Sequence, residues 1–222
     1  MAVVTPSAQK PSAAPAARRT PTQVRSRERV EKILDAAEKL VVAEGVEALT
    51  TRSVANAADI PVASLYQYFA DRDAILLALV ERDTAEMDEQ VRTDLAALRE
   101  LSIPLLVETT MNAYVAVYAR RPAFVEIWLR GRTNPAVHDY CRHHDRRTAG
   151  ELRDFAIGAG LARPDTPVAA TELAVEIGDR VFQLAYETDD DGDAFLIAEG
   201  IAMVTAYLVT YATPAGISGV RV

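Results

Sequence analysis

The sequence predicts an all-α fold: an N-terminal three-helix domain built on a helix-turn-helix, followed by a larger helical domain (about nine helices). Three observations predict it. Apolar residues recur at spacings of three and four along most of the chain, which is the period of a helix with one buried face. No segment reads convincingly as a strand. Prolines fall where helices begin, at Pro104 after Ser102, Pro122, Pro135 after Asn134 and Pro167 after Thr166, each suited to a first helical turn.

Length and composition allow this plan. The 222 residues are 50% hydrophobic, enough for one small and one larger core. The formal net charge is −8, but it is unevenly placed. Through Asp83 there are 11 basic and 11 acidic residues, so the whole deficit falls from Thr84 onward. Within the first 29 residues, Lys10, Arg18, Arg19, Arg25, Arg27 and Arg29 are opposed only by Glu28. Residues 1–24 are Pro, Ala, Ser and Thr without an apolar period and are expected to be a disordered basic arm. It lacks the apolar core of a secretory signal. Such an arm either reaches phosphates or the minor groove or is an idle tail.

Residues 50–69, TTRSVANAADIPVASLYQYF, carry the functional signal. Thr50 can cap a short helix whose Val54, Ala55 and Ala58 share an apolar face. Pro61 disfavours helix at Ile60, so Asp59-Ile60-Pro61 is a break followed by a new start. Ile60 and Leu65 are the expected buried anchors. That leaves Val62, Ala63, Ser64, Tyr66, Gln67 and Tyr68 facing outward. Their face is small at first and then bears hydroxyls and an amide; the tyrosines can donate to phosphate and Gln67 can match an adenine edge. Residues 25–70 are read as this DNA-binding domain and 71–222 as the second domain.

Residues 28–88 resemble the DNA-binding domain of TetR-type (tetracycline-repressor-like) transcriptional regulators. The resemblance is carried by ERVEKILDAAEKLVVAEG, by TTRSVA opening the second helix, by LYQYF ending the third, and by DRDAIL starting a long fourth. It implies DNA contacts from Thr50, Thr51 and Arg52 and from the outward residues of the third helix. Arg72 matches another place where the family contacts phosphate, and Arg25 and Arg27 are added from the basic segment. Many members have Ser or Thr and then Lys or Arg where this chain has Pro61 and Val62, so a cap and a cationic phosphate contact are absent there.

Beyond Asp71 a helix of about seven turns carries Leu76, Val80, Met87, Val91, Leu95 and Leu98 on one stripe and links the two domains. Gly158 and Gly160 close a later helix, and Asp189 to Gly192 separates two more. Leu173, Ile177, Val181 and Leu184 line the first of these, and Ile197, Ile201, Val204, Leu208 and Tyr211 the second. Either both are core, or they meet a second copy, as the resemblance implies; two reading helices one DNA turn apart require a two-fold dimer and a palindromic double-stranded operator. FLIAEGIAMVTAYLVTYA, 195–212, contains Glu199 and Gly200 and lacks flanking basic residues, so a buried helix explains it better than a membrane span.

Other constellations lead elsewhere. The aspartates around Gly192 lack the closing Glu of a calcium loop, with Gly200 at that position, and read as a solvated turn. HDYCRHHD, 138–145, places His138, Cys141 and Asp145 on one face, yet the interleaved Arg142 and the following Arg146 and Arg147 would repel a cation; an exposed polar helix is expected rather than a metal site. No catalytic triad, phosphate loop or carboxylate pair is evident, and neither an enzyme nor a cofactor is expected. Low cysteine use fits a reducing cytoplasm.

Met111, Tyr114, Tyr118, Phe124, Trp128, Phe155, Phe182 and Tyr186 either fill the second domain's core or line a cavity for a small apolar or amphipathic effector. The expected function is a cytoplasmic, homodimeric repressor released from an inverted repeat by that effector. The alternative is a ligand- or partner-binding helical dimer with weak or lost DNA binding.

Overall fold

The structure, a computed structural model, describes residues 21–131 and 134–221. The expected arm therefore lies largely outside the described residues. Its last four positions do not belong to an arm: Pro21, whose fixed φ suits a first helical turn, opens helix α1 (Pro21–Glu44). Arg25, Arg27 and Arg29 are consequently exposed residues of α1 rather than of a segment preceding it.

A 3-10 turn (Val46–Ala48) leads from α1 to α2 (Thr51–Ala57) and α3 (Val62–Leu65). Ile33, Ala37 and Val41 of α1 are buried, as are Leu49, Val54, Ala55, Leu65 and Phe69. The long α4 (Arg72–Ala96) starts at the Asp71 cap, buries Ile75, Leu76, Leu79 and Val80, and continues into the body of the molecule.

The body is built from α5 (Ile103–Arg120), α6 (Pro122–Phe124), α7 (Pro135–Gly158), α8 (Val168–Ala185), α9 (Ala194–Val209) and α10 (Pro214–Ser218). A π-helical turn, Val125–Arg130, continues α6 and carries Trp128. Pro104, Pro122 and Pro135 stand in the first turns of their helices. Pro167 does not: it is the extended residue just before α8, a place its fixed φ also suits. The expectation of no strand is corrected by one short antiparallel pair, Glu100–Leu101 with Val220–Arg221, which ties the α4–α5 corner to the segment after α10. Among the described residues no helix is long and apolar enough to cross a membrane.

The α8–α9 pair corrects the expected contact set. Val204, Leu208 and Tyr211 face inward onto a cavity described below, and Ile197 is buried in the core. Gly200 is buried against Val181, where a Cβ would overlap the valine side chain. Only Leu173 and Leu184 of the predicted set are strongly exposed. Val168, Phe195 and Met203 are exposed as well, which a helical period alone did not single out.

Candidate nucleic-acid interface and effector cavity

The two short helices are held by a small set of bonds. Thr50 Oγ1 accepts from Ser53 N at 3.0 Å, and Thr50 N donates to Ser53 Oγ at 2.9 Å, a reciprocal cap for α2. The chain then reverses through Asp59, which has φ 51, the left-handed conformation that Asp tolerates better than most residues. Ile60 N donates to Ala55 O at 3.0 Å, and Ile60 itself is buried. Pro61 precedes α3 without any side-chain cap.

This anchoring exposes Ala63, Tyr66 and Gln67, with Ser64 half-buried. Val62 and Tyr68 are not fully outward as expected; both lean on the hydrophobic core. The α-helix itself ends at Leu65, and turn bonds carry the chain through Phe69. Tyr66 is 54% exposed, and its hydroxyl stands 3.2 Å from Thr51 Oγ1. Arg52 is exposed. Arg72 is engaged within the protein, its Nη2 donating to Val46 O at 2.8 Å and lying 3.7 Å from Glu47. It clasps the start of α4 to the 3-10 turn instead of standing free for a phosphate.

An ion network, absent from the sequence reading, joins this unit to the body. Arg82 of α4 reaches Glu38 and Asp35 of α1 at 2.7 and 3.2 Å and its neighbour Asp83 at 3.0 Å. Arg121, between α5 and α6, reaches Glu86 at 2.8 Å, Glu38 at 3.4 Å and Asp83 at 3.8 Å. Burial pushes the Asp83 carboxyl above its ordinary range, and the two arginines offset only part of that.

Within the body α5, α7, α8 and α9 enclose a cavity of about 120 Å³. Of the residues expected there, Met111, Tyr114, Tyr118, Trp128 and Phe182 line it. Phe124 and Tyr186 are instead fully buried core residues, packed against Tyr118 at ring separations of 5.8 and 5.2 Å. Phe155 turns outward and is 41% exposed, because its place on α7 faces away from α5 and α8. The rest of the lining escaped the aromatic criterion: Leu106, Val107, Ala149, Ala156 and Val175 are aliphatic wall, and Asp145, Arg153 and Asp179 are charged.

The segment expected to be an exposed polar helix is corrected along one face, where Tyr140, Cys141 and Asp145 are half-buried. His144 is buried, with Nε2 3.0 Å from Asp88 Oδ1 and its ring set edge-on to Trp128. Burial alone would lower its pKa; Asp145 and Asp88 outweigh that and raise it to about 9. Asp179 accepts from Trp128 Nε1 at 3.1 Å and fixes that ring at the cavity wall. Among the described residues no cluster of His, Cys, Asp and Glu could hold a metal ion.

A helix-turn-helix braced on a long helix, joined to a helical body with its own cavity, defines a DNA-binding transcriptional regulator. Residues 33–79 match bacterial regulatory proteins of the tetR family, and residues 102–208 match the Tetracyclin repressor-like C-terminal domain. An uncharacterized HTH-type transcriptional regulator in the dhlA 5' region of Xanthobacter autotrophicus is 26% identical over 153 residues, 67% of this chain and 71% of that one. The HTH-type transcriptional repressor KstR of Mycolicibacterium smegmatis is 39% identical over 72 residues, 32% of this chain and 34% of its own. A TetR-family transcriptional regulator from Streptomyces coelicolor superposes with a TM-score of 0.68 at 29% identity, covering 82% of this chain and 99% of that one. This chain belongs to the TetR family of transcriptional regulators and is not an enzyme.

Proposed function

We propose that the protein is a cytoplasmic homodimeric repressor that reads an inverted repeat and is released from it by a small apolar or amphipathic molecule. The observation that carries this reading is the pairing of an exposed reading surface, Arg52, Ala63, Tyr66 and Gln67, with a separate apolar cavity on the same chain. The α4 helix contributes to the core beneath the first and continues into the body that holds the second. A ligand preferring one arrangement of α4 over another must change DNA affinity by its differential binding to the two. For the second copy, the exposed Leu173, Leu184, Phe195 and Met203 supply an apolar face on α8 and α9. The repressor direction is supported by the likeness to KstR.

The test is selection of sites from a random duplex library with the purified protein, followed by a salt titration on the winner. An enriched inverted repeat with a steep salt slope supports a dimer on a palindrome. Enrichment of a single half-site, or none, overturns it.

A further inference from the structure

Asp145 is the anomaly of the cavity. Its side chain is 13% exposed and opens onto the lining, and the protonated His144 is its one close cation among the described residues. The nearest cation, His144 Nδ1, is 3.8 Å away, and that nitrogen itself has no hydrogen-bond partner. The close contacts of the neighbouring cations go to Asp88 instead: His144 Nε2 at 3.0 Å and Arg147 Nη2 at 2.7 Å. At 3.8 Å the imidazolium offsets the Asp145 charge but leaves its cavity-facing lone pairs unused, so a donor entering through the cavity would gain a charge-assisted hydrogen bond.

The surroundings specify the donor. Tyr114, Tyr118 and Trp128 line the same cavity, and aromatic faces attract an ammonium. Burial raises the Tyr114 and Tyr118 hydroxyls above their ordinary pKa, and the nearby Asp145 carboxylate adds to that. Arg153 is the one cation of the described lining, and it is occupied, donating to Thr166 O at 2.7 Å and Asp154 Oδ1 at 2.8 Å. It also lies two helical turns along α7 from Asp145, about 12 Å. The wall between them is almost entirely carbon, and the volume of about 120 Å³ is of the size that accepts one aromatic ring.

We propose that this cavity binds a hydrophobic amine, with its ammonium donating to Asp145 beside Tyr114 and Trp128 and its hydrocarbon extending along the α7–α8 wall. The proposal rests on the effector-cavity reading above and narrows its chemistry; a carboxylate ligand would face Asp145 and is expected to bind most weakly.

The sole tryptophan of the chain, Trp128, reports binding by its fluorescence. The probes are 3-phenylpropylamine, its uncharged counterpart butylbenzene, and the anion 4-phenylbutyrate. The amine is expected to bind about tenfold or more tightly than butylbenzene, as for one charge-assisted hydrogen bond, and 4-phenylbutyrate most weakly. Asp145→Asn should bring the amine down to the level of butylbenzene while leaving butylbenzene unchanged, which also shows that the variant cavity is intact. Butylbenzene equal to or tighter than the amine, or 4-phenylbutyrate tightest, overturns the proposal, and the native protein alone decides this. Adding the amine to the protein on its selected duplex separates the two readings. Binding that leaves DNA affinity unchanged refutes the effector role, whereas loss of the amine preference refutes the ligand chemistry.

Discussion

The Tyr66 hydroxyl lies within 3.2 Å of Thr51 Oγ1, joining the tip of the reading helix to the first turn of the helix behind it. The contact orients an exposed aromatic ring that would otherwise rotate freely. Tyr66→Phe removes the tie and the phosphate donor together, and Thr51→Val removes the tie alone. Each is expected to weaken binding to the selected duplex by about two- to tenfold, the worth of one net hydrogen bond, with Tyr66→Phe the larger. Fluorescence anisotropy checks this, and equal affinity for all three proteins would sink the idea.

Arg52 is exposed and free to meet phosphate, while Val62 stands where the family resemblance implies a cation. Arg52→Ala should weaken all duplexes alike and lower the salt slope by about one, and Val62→Lys should raise it by about one. Unchanged slopes would place both residues outside the phosphate contact.

Arg82 neutralises two carboxylates that are themselves poorly hydrated, Glu38 and Asp83. Arg82→Leu leaves only the more distant Arg121, at 3.4 and 3.8 Å, to oppose them and is expected to cost about 1 to 3 kcal/mol in urea unfolding. Adding Asp83→Asn to that variant should recover part of the loss; no recovery would show that Asp83 is not the charge at stake.

His144 makes stability depend on pH in a defined direction. Its folded pKa of about 9 lies above the unfolded value of 6.5, so the stabilisation is complete below about pH 6.5 and is lost as pH rises through 9. The difference in melting temperature between the native protein and His144→Gln should therefore be largest near pH 6 and shrink toward pH 10. A constant difference would mean that the imidazole is held neutral.

Gly192 adopts φ 78, and a Cβ there would stand 2.6 Å from the Tyr186 ring. Gly192→Ala combines backbone strain with this overlap and should destabilise by about 1 to 3 kcal/mol. A cost below about 0.5 kcal/mol would show that Tyr186 moves aside freely.

The parts most legible in the sequence were local ones. Thr50 as a cap, Asp59 to Pro61 as a break, and Ile60 and Leu65 as anchors depend on neighbours within a few residues, so side-chain chemistry alone specifies them. Orientation in three dimensions was less legible. Val204, Leu208 and Tyr211 show a helical apolar face, but period does not tell whether that face meets the same chain or another. Phe155 is aromatic and near the cavity in sequence, yet one step around α7 turns it to solvent. Asp145 and Arg153 were invisible as lining because polar residues on the mostly polar α7 look solvated until the other helices are packed against them, and Asp179 reads as a lone charge on α8. Arg82 and Arg121 meet Glu38 across 44 and 83 residues of chain, a pairing that no local pattern encodes.

The missing side chain at Gly200 lets α9 settle directly on Val181 of α8, so these two helices behave as one plate. On the proposed effector reading, widening of the cavity falls to its other walls, α5 and α7, both of which touch α4. A bulkier residue at position 200 would part the plate itself, converting the stationary side of the machine into a second moving one.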